Sequence, residues 1–414
     1  MLDLGDAWPP AALFALRHAL FLAPLSAVVL LMLWHRNQRR MIVGALFSFL
    51  YALPLLFIDH ALAIHFGAWH YGGSSLKMLG FPADIWFAGT LLGPALYLTL
   101  PMAPPWLLAA FLVGLNGLLL PVFTPFVAIG PYWFAAVIVV FLTTHLPALY
   151  LARWTDRDQY LARRAFLLAI GFAGMAFFLI PTVIMHAMGG DWGVLDQRPG
   201  WALALAAACL LPPAVLGLTA VQMFVLYGEG TPIPLDPTKR LVREGIYAYV
   251  CNPMQLSTAL AFGILGIVLG NFWVSLAAVM AVIFVLGMVR WHHRNDLEVR
   301  FPVGWTVYRS NVNEWLPRWR PWVPGSARLT YDPSDFWQRR AATALRRAGC
   351  VGLAVEAQPG RLRYADTREF CGVAALAQAM SHCNLIVALA GAAVLLFLLP
   401  WSYLSSAARN VRRG

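Results

Sequence analysis

The sequence predicts an all-α polytopic membrane protein with about nine transmembrane helices and a small soluble α/β appendage near the C-terminus. Of the 414 residues, 60% are hydrophobic and only 12% are charged, whereas soluble globular proteins carry about 25% charged residues. Apolar runs long enough to cross a bilayer recur along most of the chain, and charge density rises only after residue 323. A large soluble core is excluded because too few polar residues remain to cover it.

The net charge of +11 comes mainly from bases in loops. Four basic segments, at 35–40, 152–164, 228–255 and after residue 291, all fall on one side when nine spans are counted. The positive-inside rule makes that side cytoplasmic, where the bases face anionic lipid headgroups rather than nucleic acid. We therefore expect an integral protein of a bacterial-type cytoplasmic membrane, with its active side facing the cytosol. Its oligomeric state is left open.

Helices are expected for the apolar runs because backbone groups cannot stay unpaired in lipid. The run at 106–120 is short and follows a tight proline loop, so a re-entrant helix is an alternative there. Arg17 interrupts the first run. A central arginine costs about 2.5–3.5 kcal/mol on insertion scales, so we expect the first span to start after it. The nine runs lie at 12–34, 41–58, 85–102, 106–120, 126–151, 165–187, 201–227, 256–270 and 272–291.

The runs divide the chain into regions that differ in composition. A hairpin at 256–291 returns its ends to one membrane face, so the polar residues before and after it should meet there. The last apolar run, 385–401, is expected to form an interfacial or half-inserted helix, since a crossing would carry three arginines outside. The regions are N-terminal transmembrane helices at 1–200, a core at 201–322, a soluble appendage at 323–383, and an apolar helix with a basic tail at 384–414.

The core contains the polar stretch G-I-Y-A-Y-V-C-N-P-M-Q-L, which begins at Gly245 and directly precedes the hairpin. Gly245 permits a close backbone approach, Pro253 stiffens the turn, and Asn252 offers both a donor and an acceptor. Tyr247 and Tyr249 can pack against an adenine ring or a cation. Taken alone, the tyrosines are more typical of a helix-entry loop at the membrane interface.

With its flanking segments, this stretch resembles the isoprenylcysteine carboxyl methyltransferase and phospholipid methyltransferase group. The resemblance covers about 228–322 and rests on GTPIP at 230–234, LVREGIYAYVCNPMQL at 241–256, FPVGWTVY at 301–308 and LP at 316–317. It implies S-adenosylmethionine bound at the cytoplasmic face and methyl transfer to a lipophilic, isoprenoid or lipid-like acceptor. A charged cofactor and a membrane-embedded acceptor can meet only at the interface, where most of the acceleration must come from alignment.

The resemblance places the site among these segments, and the chemistry of the acceptor then suggests candidate residues. An amine or hydroxyl acceptor needs a general base, which His293 or His292 could supply with Asp296 orienting it, whereas a carboxylate acceptor is already ionised at neutral pH. The alternative for both histidines is a solvated position at the membrane interface. The catalytic candidates are Asn252, His293 and Asp296. The cofactor-binding candidates are Gly245, Tyr247, Tyr249, Cys251, Asn252, Pro253, Gln255 and Leu256.

The chain departs from the family pattern at three places. Cys251 stands where the family has arginine, and a thiol cannot hold a carboxylate with a bidentate fork. The family's acidic pair falls at His293 and Arg294, which leaves Asp296 as one of the nearest carboxylates. Pro302 replaces a glycine. A catalytically degenerate lipid-binding or scaffold protein that uses the same pocket is therefore the alternative to an enzyme.

The appendage is predicted to have the order β-α-β-β-α. Its segment YDPSDFWQ from Tyr331, together with GVAAL from Gly372, resembles the thioredoxin-like family named for its DxxCxxC motif. The family's two cysteines fall at Asp335 and Gln338, so thiol exchange is lost and a docking or lid role is favoured. The predicted elements are strands at 327–331, 351–355 and 361–364 and helices at 336–348 and 372–382.

Two further features concern the cysteines and an outer loop. The five cysteines show neither CxxC nor metal-ligand spacing, so we predict neither a disulfide framework nor a metal site. Residues 59–84 form a loop whose FPAD segment resembles the Pro-acid pattern of small membrane carotenoid cyclases. An isoprenoid-modifying activity would need Asp84 and a second acid facing one cavity. The alternative is an aromatic interfacial loop in which Asp84 caps a helix.

Overall fold

The computed structural model describes residues 9–71, 77–79, 81–122 and 126–398. The chain forms two compact units, Met1–Ala187 and Met188–Gly414. Most of the described residues are helical, which confirms the α-helical membrane class. Within these described ranges, six helices are long and apolar enough to cross a membrane: Phe14–Trp34, Arg39–His65, Trp133–Asp156, Leu161–Met188, Gly200–Gly228 and Phe272–Arg300.

The predicted number of nine spans is wrong. Each predicted run overlaps a helix, but Ala83–Thr99, Pro105–Leu119 and Pro253–Leu269 contain only 17, 15 and 17 residues. At 1.5 Å per residue they are about 22–26 Å long, which is less than the roughly 30 Å hydrocarbon core. Composition identifies these segments as apolar, but the residues that end each helix set its length. An example is Gly270, which is left-handed and directly follows the helix Pro253–Leu269.

The described part of the first unit contains six helices and two small antiparallel sheets. Strands β1 (Trp69–Tyr71) and β4 (Val127–Ile129) pair with each other, as do β2 (Lys77–Met78) and β3 (Phe81–Pro82). The helices are α1 (Pro10–Trp34), α2 (Arg39–His65), α3 (Ala83–Thr99), α4 (Pro105–Leu119), α5 (Trp133–Asp156) and α6 (Leu161–Met188).

The expected start of the first span after Arg17 is also wrong, because α1 includes that residue. The Arg17 guanidinium lies 3.4 Å from a carboxylate oxygen of Asp84, and both side chains are buried. Arg17 also lies 4.7 Å from the centroid of the Phe126 ring. The insertion penalty of an isolated arginine therefore does not apply, since a carboxylate distant in sequence compensates the charge.

The second unit begins with helices that build the core. These are α7 (Gly200–Gly228), α8 (Pro253–Leu269), α9 (Phe272–Arg300) and α10 (Pro302–Asn311). Helices α8 and α9 pack together as a hairpin. Gly270 takes a left-handed conformation at the turn, and the Asn271 side chain accepts hydrogen bonds from the first amides of α9.

Two core helices contain π-helical turns, which the sequence did not predict. These turns span Phe224–Gly228 in α7 and both Val285–Val289 and His293–Leu297 in α9. A π turn holds an extra residue and so changes the direction of the side chains that follow it, and such turns are frequent at functional sites.

The appendage forms a four-stranded sheet in the order β6-β5-β7-β8. Strands β5 and β6 are parallel, and the other pairs are antiparallel. The predicted first strand and first helix have the observed bounds, whereas β8 was not predicted. The elements are β5 (Ala327–Tyr331), α11 (Phe336–Ala348), β6 (Leu353–Ala357), β7 (Arg363–Ala365), β8 (Glu369–Cys371), α12 (Val373–Met380) and α13 (Leu385–Leu398).

The prediction of no disulfide is wrong, because Cys350 and Cys383 are bonded. The amide of Val351 donates a 2.7 Å hydrogen bond to the carbonyl of His382, and this contact brings the two neighbouring cysteines together. The cysteines are separated by 33 positions. Spacing along the chain therefore did not reveal a pairing that the fold of the appendage creates.

Helix α13 follows this disulfide and packs against α7 and α12. Its 14 described residues are about 21 Å long, and its expected position relative to the membrane stays a prediction. Residues 399–401 of the predicted apolar run lie outside the described residues.

Candidate functional site

Residues from both ends of the α8–α9 hairpin line one cavity of about 190 Å³. Asn252 directly precedes α8, while His293 and Asp296 lie on the last turns of α9. A hairpin brings its two ends to the same place, so these three residues, far apart in sequence, share one site. The cavity is the geometric arrangement that the methyltransferase interpretation requires.

The stretch before α8 is held in place by hydrogen bonds with α10 and with the segment that follows it. The Tyr308 hydroxyl donates to the Tyr247 carbonyl at 2.8 Å, and the Cys251 amide donates to the Asn313 carbonyl at 2.9 Å. Pro253 occupies the first turn of α8, where no intrahelical amide donor is needed. The backbone around Asn252 is therefore fixed before any ligand binds.

Three buried donors on the cavity wall lack a hydrogen-bond partner among the described residues. They are the Tyr247 hydroxyl, the Asn252 side-chain nitrogen and the Trp305 indole nitrogen, on side chains that are 5%, 3% and 4% exposed. An unpaired buried donor costs about 1–3 kcal/mol. Three such groups around one cavity indicate a binding site for a ligand that presents acceptor atoms.

The walls of the cavity are largely aromatic. The Tyr247 and Phe224 rings are stacked, with centroids 5.2 Å apart and planes inclined by 11°. The Trp305 ring lies 4.6 Å from the imidazole of the buried His293. Aromatic faces attract cations and planar heterocycles, and Phe224 and Trp305 were not among the predicted site residues.

The charge at the cavity comes from Asp296, whose carboxylate accepts a 2.8 Å hydrogen bond from Arg300. The Arg300 guanidinium also donates to the Thr238 carbonyl and lies 4.9 Å from the centroid of the Phe301 ring. The carboxylate is thus held in a fixed position but partly neutralised. The side chain of His292 lies outside the described part of the structure.

Cys251 lines the cavity as a neutral thiol. Its sulfur donates to the Val312 carbonyl at 3.1 Å, and burial raises the pKa of the thiol to about 11. Almost no thiolate is present at neutral pH, so Cys251 acts neither as a nucleophile nor as a replacement for the arginine of the family. Gln255, a predicted cofactor residue, also lines the cavity.

Four predicted residues, Gly245, Tyr249, Pro253 and Leu256, are not among the lining residues. Gly245 has a φ of +61°, and a Cβ there would lie 2.5 Å from the Met223 sulfur. The Tyr249 hydroxyl donates to the Ser381 carbonyl of the appendage at 2.9 Å. In sequence Tyr247 and Tyr249 looked equivalent, but only Tyr247 reaches the cavity.

The cavity reaches the surface of the unit along α9. Phe284 and Met288 line it, yet 51% and 59% of their surfaces are exposed. Both lie in a helix long and apolar enough to cross the membrane, so the exposed side faces lipid if α9 spans the bilayer. Sequence reasoning missed these residues because they resemble any lipid-facing side chain.

The appendage docks on the core through buried polar contacts. The Tyr227 hydroxyl of α7 donates to Asp366 at 3.1 Å and accepts from Gln378 at 2.9 Å. The Tyr364 hydroxyl donates to the same Asp366 carboxylate at 2.9 Å and contacts His382 at 2.8 Å. Docking of the appendage is therefore a structural feature, while a role as a lid stays a prediction.

Asp335 and Gln338, the two positions that the thioredoxin-like resemblance aligns with cysteines, bond to each other. The Asp335 carboxylate caps α11 by accepting a 2.9 Å hydrogen bond from the Gln338 amide, and this bond holds the pKa of the carboxyl below its usual range. Neither side chain can exchange a disulfide. Within the described ranges, no group of three His, Cys, Asp or Glu residues is placed to bind a metal ion.

The first unit contains a separate, mainly apolar cavity of about 200 Å³, to which His60, His145 and Asn116 contribute polar groups. Neither Asp84 nor Asp59 lines it: Asp84 pairs with an arginine, and Asp59 accepts hydrogen bonds from two threonines. The condition for an isoprenoid-modifying site, two acids facing one cavity, is therefore not met among the residues that line this cavity.

No protein-family model, curated protein or solved structure matches this chain. The methyltransferase resemblance of residues 228–322 and the thioredoxin-like resemblance of the appendage rest on their motifs alone. Both enter the functional interpretation as proposals.

Proposed function

We propose that the second unit is an S-adenosylmethionine-dependent methyltransferase that acts on a lipophilic acceptor at the membrane surface. The observation that carries this proposal is the set of unpartnered donors, Tyr247, Asn252 and Trp305, on one aromatic-walled cavity. Their placement agrees with the motif resemblance, which assigns two of them to the site.

The residues fit the cofactor in chemical character. The three donors match the acceptor atoms of its ribose, adenine and carboxylate groups, and the aromatic faces match its cationic sulfur and planar base. Asp296 supplies a carboxylate at the same cavity. When bound, S-adenosylmethionine supplies a methyl group on a positively charged sulfur.

The chain's own contribution is mainly alignment. Asn252 and Tyr247 orient the bound molecule, while the aromatic rings exclude water. His293 is the base for an acceptor that must lose a proton, and a carboxylate acceptor requires none. The cavity of about 190 Å³ is smaller than typical ligand pockets, so the acceptor's apolar chain extends past Phe284 and Met288 into the bilayer.

The orientation of this site belongs to the same proposal. The loop at 228–255 and the segment after residue 291 are basic, so the positive-inside rule places the cavity mouth at the cytosolic face of a bacterial-type membrane. At that face the cavity is accessible to the soluble cofactor from the cytosol and to the lipophilic acceptor from the bilayer.

Calorimetry on the purified protein tests cofactor binding. We expect wild type to bind S-adenosylmethionine and Asn252→Ala to bind it more weakly. Asn295→Ala is the control, because Asn295 is exposed on α9 and bonds only locally to Trp291. Mass spectrometry of co-purified lipids, with and without an isotopically labelled methyl donor, identifies the acceptor. Absence of binding by wild type contradicts the proposal.

A lipid-binding or scaffold protein is the second candidate. The apolar cavity of the first unit favours it, as does the neutral Cys251 thiol where the family has arginine. Bound lipid in the purified protein, without any affinity for S-adenosylmethionine, would support this alternative over the enzyme.

A further inference from the structure

The second unit contains a larger cavity of about 530 Å³ that the methyltransferase interpretation does not use. It lies between the loop before Gly245, the start of α10 and an appendage loop. Four cationic side chains line it: Lys239, Arg240, Arg243 and, from the appendage, Arg368. We call this cavity the basic basin.

Positive charge predominates in the basin after its carboxylates are counted. Glu229 lies beside the basin and is shared by Arg240 and Arg368, at 3.4 Å from each. Glu244 is the lining carboxylate, and burial raises the pKa of its carboxyl. Four cations therefore line the basin with one lining carboxylate, Glu244, while Glu229 and Asp366 lie beside it.

Backbone amides at the start of α10 add to the positive potential of the basin. Pro302, Val303 and Gly304 form the first turn of α10 and line the basin. Pro302 has no amide hydrogen, but the Val303 and Gly304 amides belong to a first turn, whose amides have no partner within the helix and form the positive end of its dipole. Helix starts next to basic side chains are common binding sites for phosphate.

We propose that the basic basin binds a phosphate-bearing anion and that the appendage completes this site by contributing Arg368. Arginine forks match phosphate oxygens, and the four cations come from two separate parts of the unit. Leu241 lines both the basin and the aromatic cavity, so the two sites are neighbours. The phosphate can belong to a lipid headgroup or to a soluble molecule.

The test measures binding of inorganic pyrophosphate to the full-length protein in phosphatidylcholine nanodiscs, without any methyl donor. Arg240→Gln and Arg328→Gln form a matched pair. Their side chains are 60% and 64% exposed, and each lies 3.4 Å from a glutamate, but Arg328 lies on β5 and does not line the basin. We expect Arg240→Gln to weaken binding about threefold to fivefold and Arg328→Gln to leave it unchanged.

Arg368, whose side chain is only 12% exposed, should matter more. We expect Arg368→Gln to weaken pyrophosphate binding about tenfold or more and Arg368→Lys to restore part of the loss. If Arg368→Gln disturbs docking of the appendage, the comparison of Arg240→Gln with Arg328→Gln still tests whether the basin binds pyrophosphate. Equal affinity of that pair, or no binding by wild type, overturns the proposal.

Added phosphatidic acid separates the two sources of phosphate. Competition with pyrophosphate assigns the basin to a lipid headgroup, while pyrophosphate binding without competition assigns it to a soluble phosphate compound. Either result supports the binding of a phosphate-bearing anion in the basic basin. Because no methyl donor is present, failure of this test leaves the proposed methyl transfer untouched.

Discussion

Tyr247→Phe and Tyr249→Phe should have opposite effects, although the two tyrosines are neighbours in sequence and both are buried. The Tyr247 hydroxyl has no hydrogen-bond partner in the described part of the chain, whereas the Tyr249 hydroxyl bonds to the Ser381 carbonyl. Each substitution removes one oxygen and keeps the ring. The pair therefore separates a ligand-binding hydroxyl from a structural one.

The magnitudes follow from these contacts. Tyr247→Phe removes an unpaired buried group, so the free energy of unfolding should stay constant or rise by up to about 1–3 kcal/mol. The loss of one hydrogen bond of about 0.5–1.5 kcal/mol to S-adenosylmethionine should weaken its binding roughly twofold to tenfold. Tyr249→Phe should lower stability by about 1–3 kcal/mol, because the Ser381 carbonyl loses its donor, and should leave affinity unchanged.

Thermal unfolding in detergent and calorimetric titration measure the two quantities on the same preparations. The assignment of the Tyr247 hydroxyl as a ligand-binding group is refuted if Tyr247→Phe destabilises the protein as much as Tyr249→Phe does. It is also refuted if Tyr247→Phe binds the cofactor as tightly as wild type. The contrast in stability can be measured even if the wild-type protein binds no cofactor.

Three further predictions concern stability. Asp84→Asn removes the carboxylate beside the buried Arg17 and should cost about 3–5 kcal/mol, whereas Asp84→Leu combined with Arg17→Leu should cost much less, as measured by unfolding in detergent. Reducing the Cys350–Cys383 bond should destabilise the appendage by about 3–4 kcal/mol for a loop of 33 positions, and an unchanged melting midpoint with reductant would contradict this. Burial lowers the pKa of His382, so the unfolded chain binds its proton more readily, and stability should fall as pH drops below about 6.5. His382→Gln should flatten that pH profile, and an unaltered profile would exclude His382 as its source.

Some features of the protein follow from local sequence. The lengths and compositions of the apolar runs predict a helix at each position where the structure has a long helix. The reason is that a chain in lipid must form all its backbone hydrogen bonds internally. Strand β5 and helix α11 begin and end where their patterns predict. The hairpin also makes Asn252 and Asp296 neighbours, since two adjacent antiparallel helices bring their outer ends to one side.

Other features depend on contacts between distant residues. Arg17 is tolerated inside α1 because Asp84 lies beside it, and no pattern near Arg17 reveals that partner. The Cys350–Cys383 pairing arises from the appendage fold.

The features of the candidate site also separate into those set by local sequence and those set by contacts between distant residues. The sequence by itself determined a helical membrane protein whose polar motif and hairpin end share one cavity, because helix formation and hairpin closure are governed by residues close in the chain. Only the tertiary structure decided that Tyr247 reaches this cavity while Tyr249 holds the appendage, that Trp305 joins the wall, and that Arg368 completes the basic basin. Those choices depend on side-chain direction and packing between separate elements, which π-helical turns and long-range hydrogen bonds set.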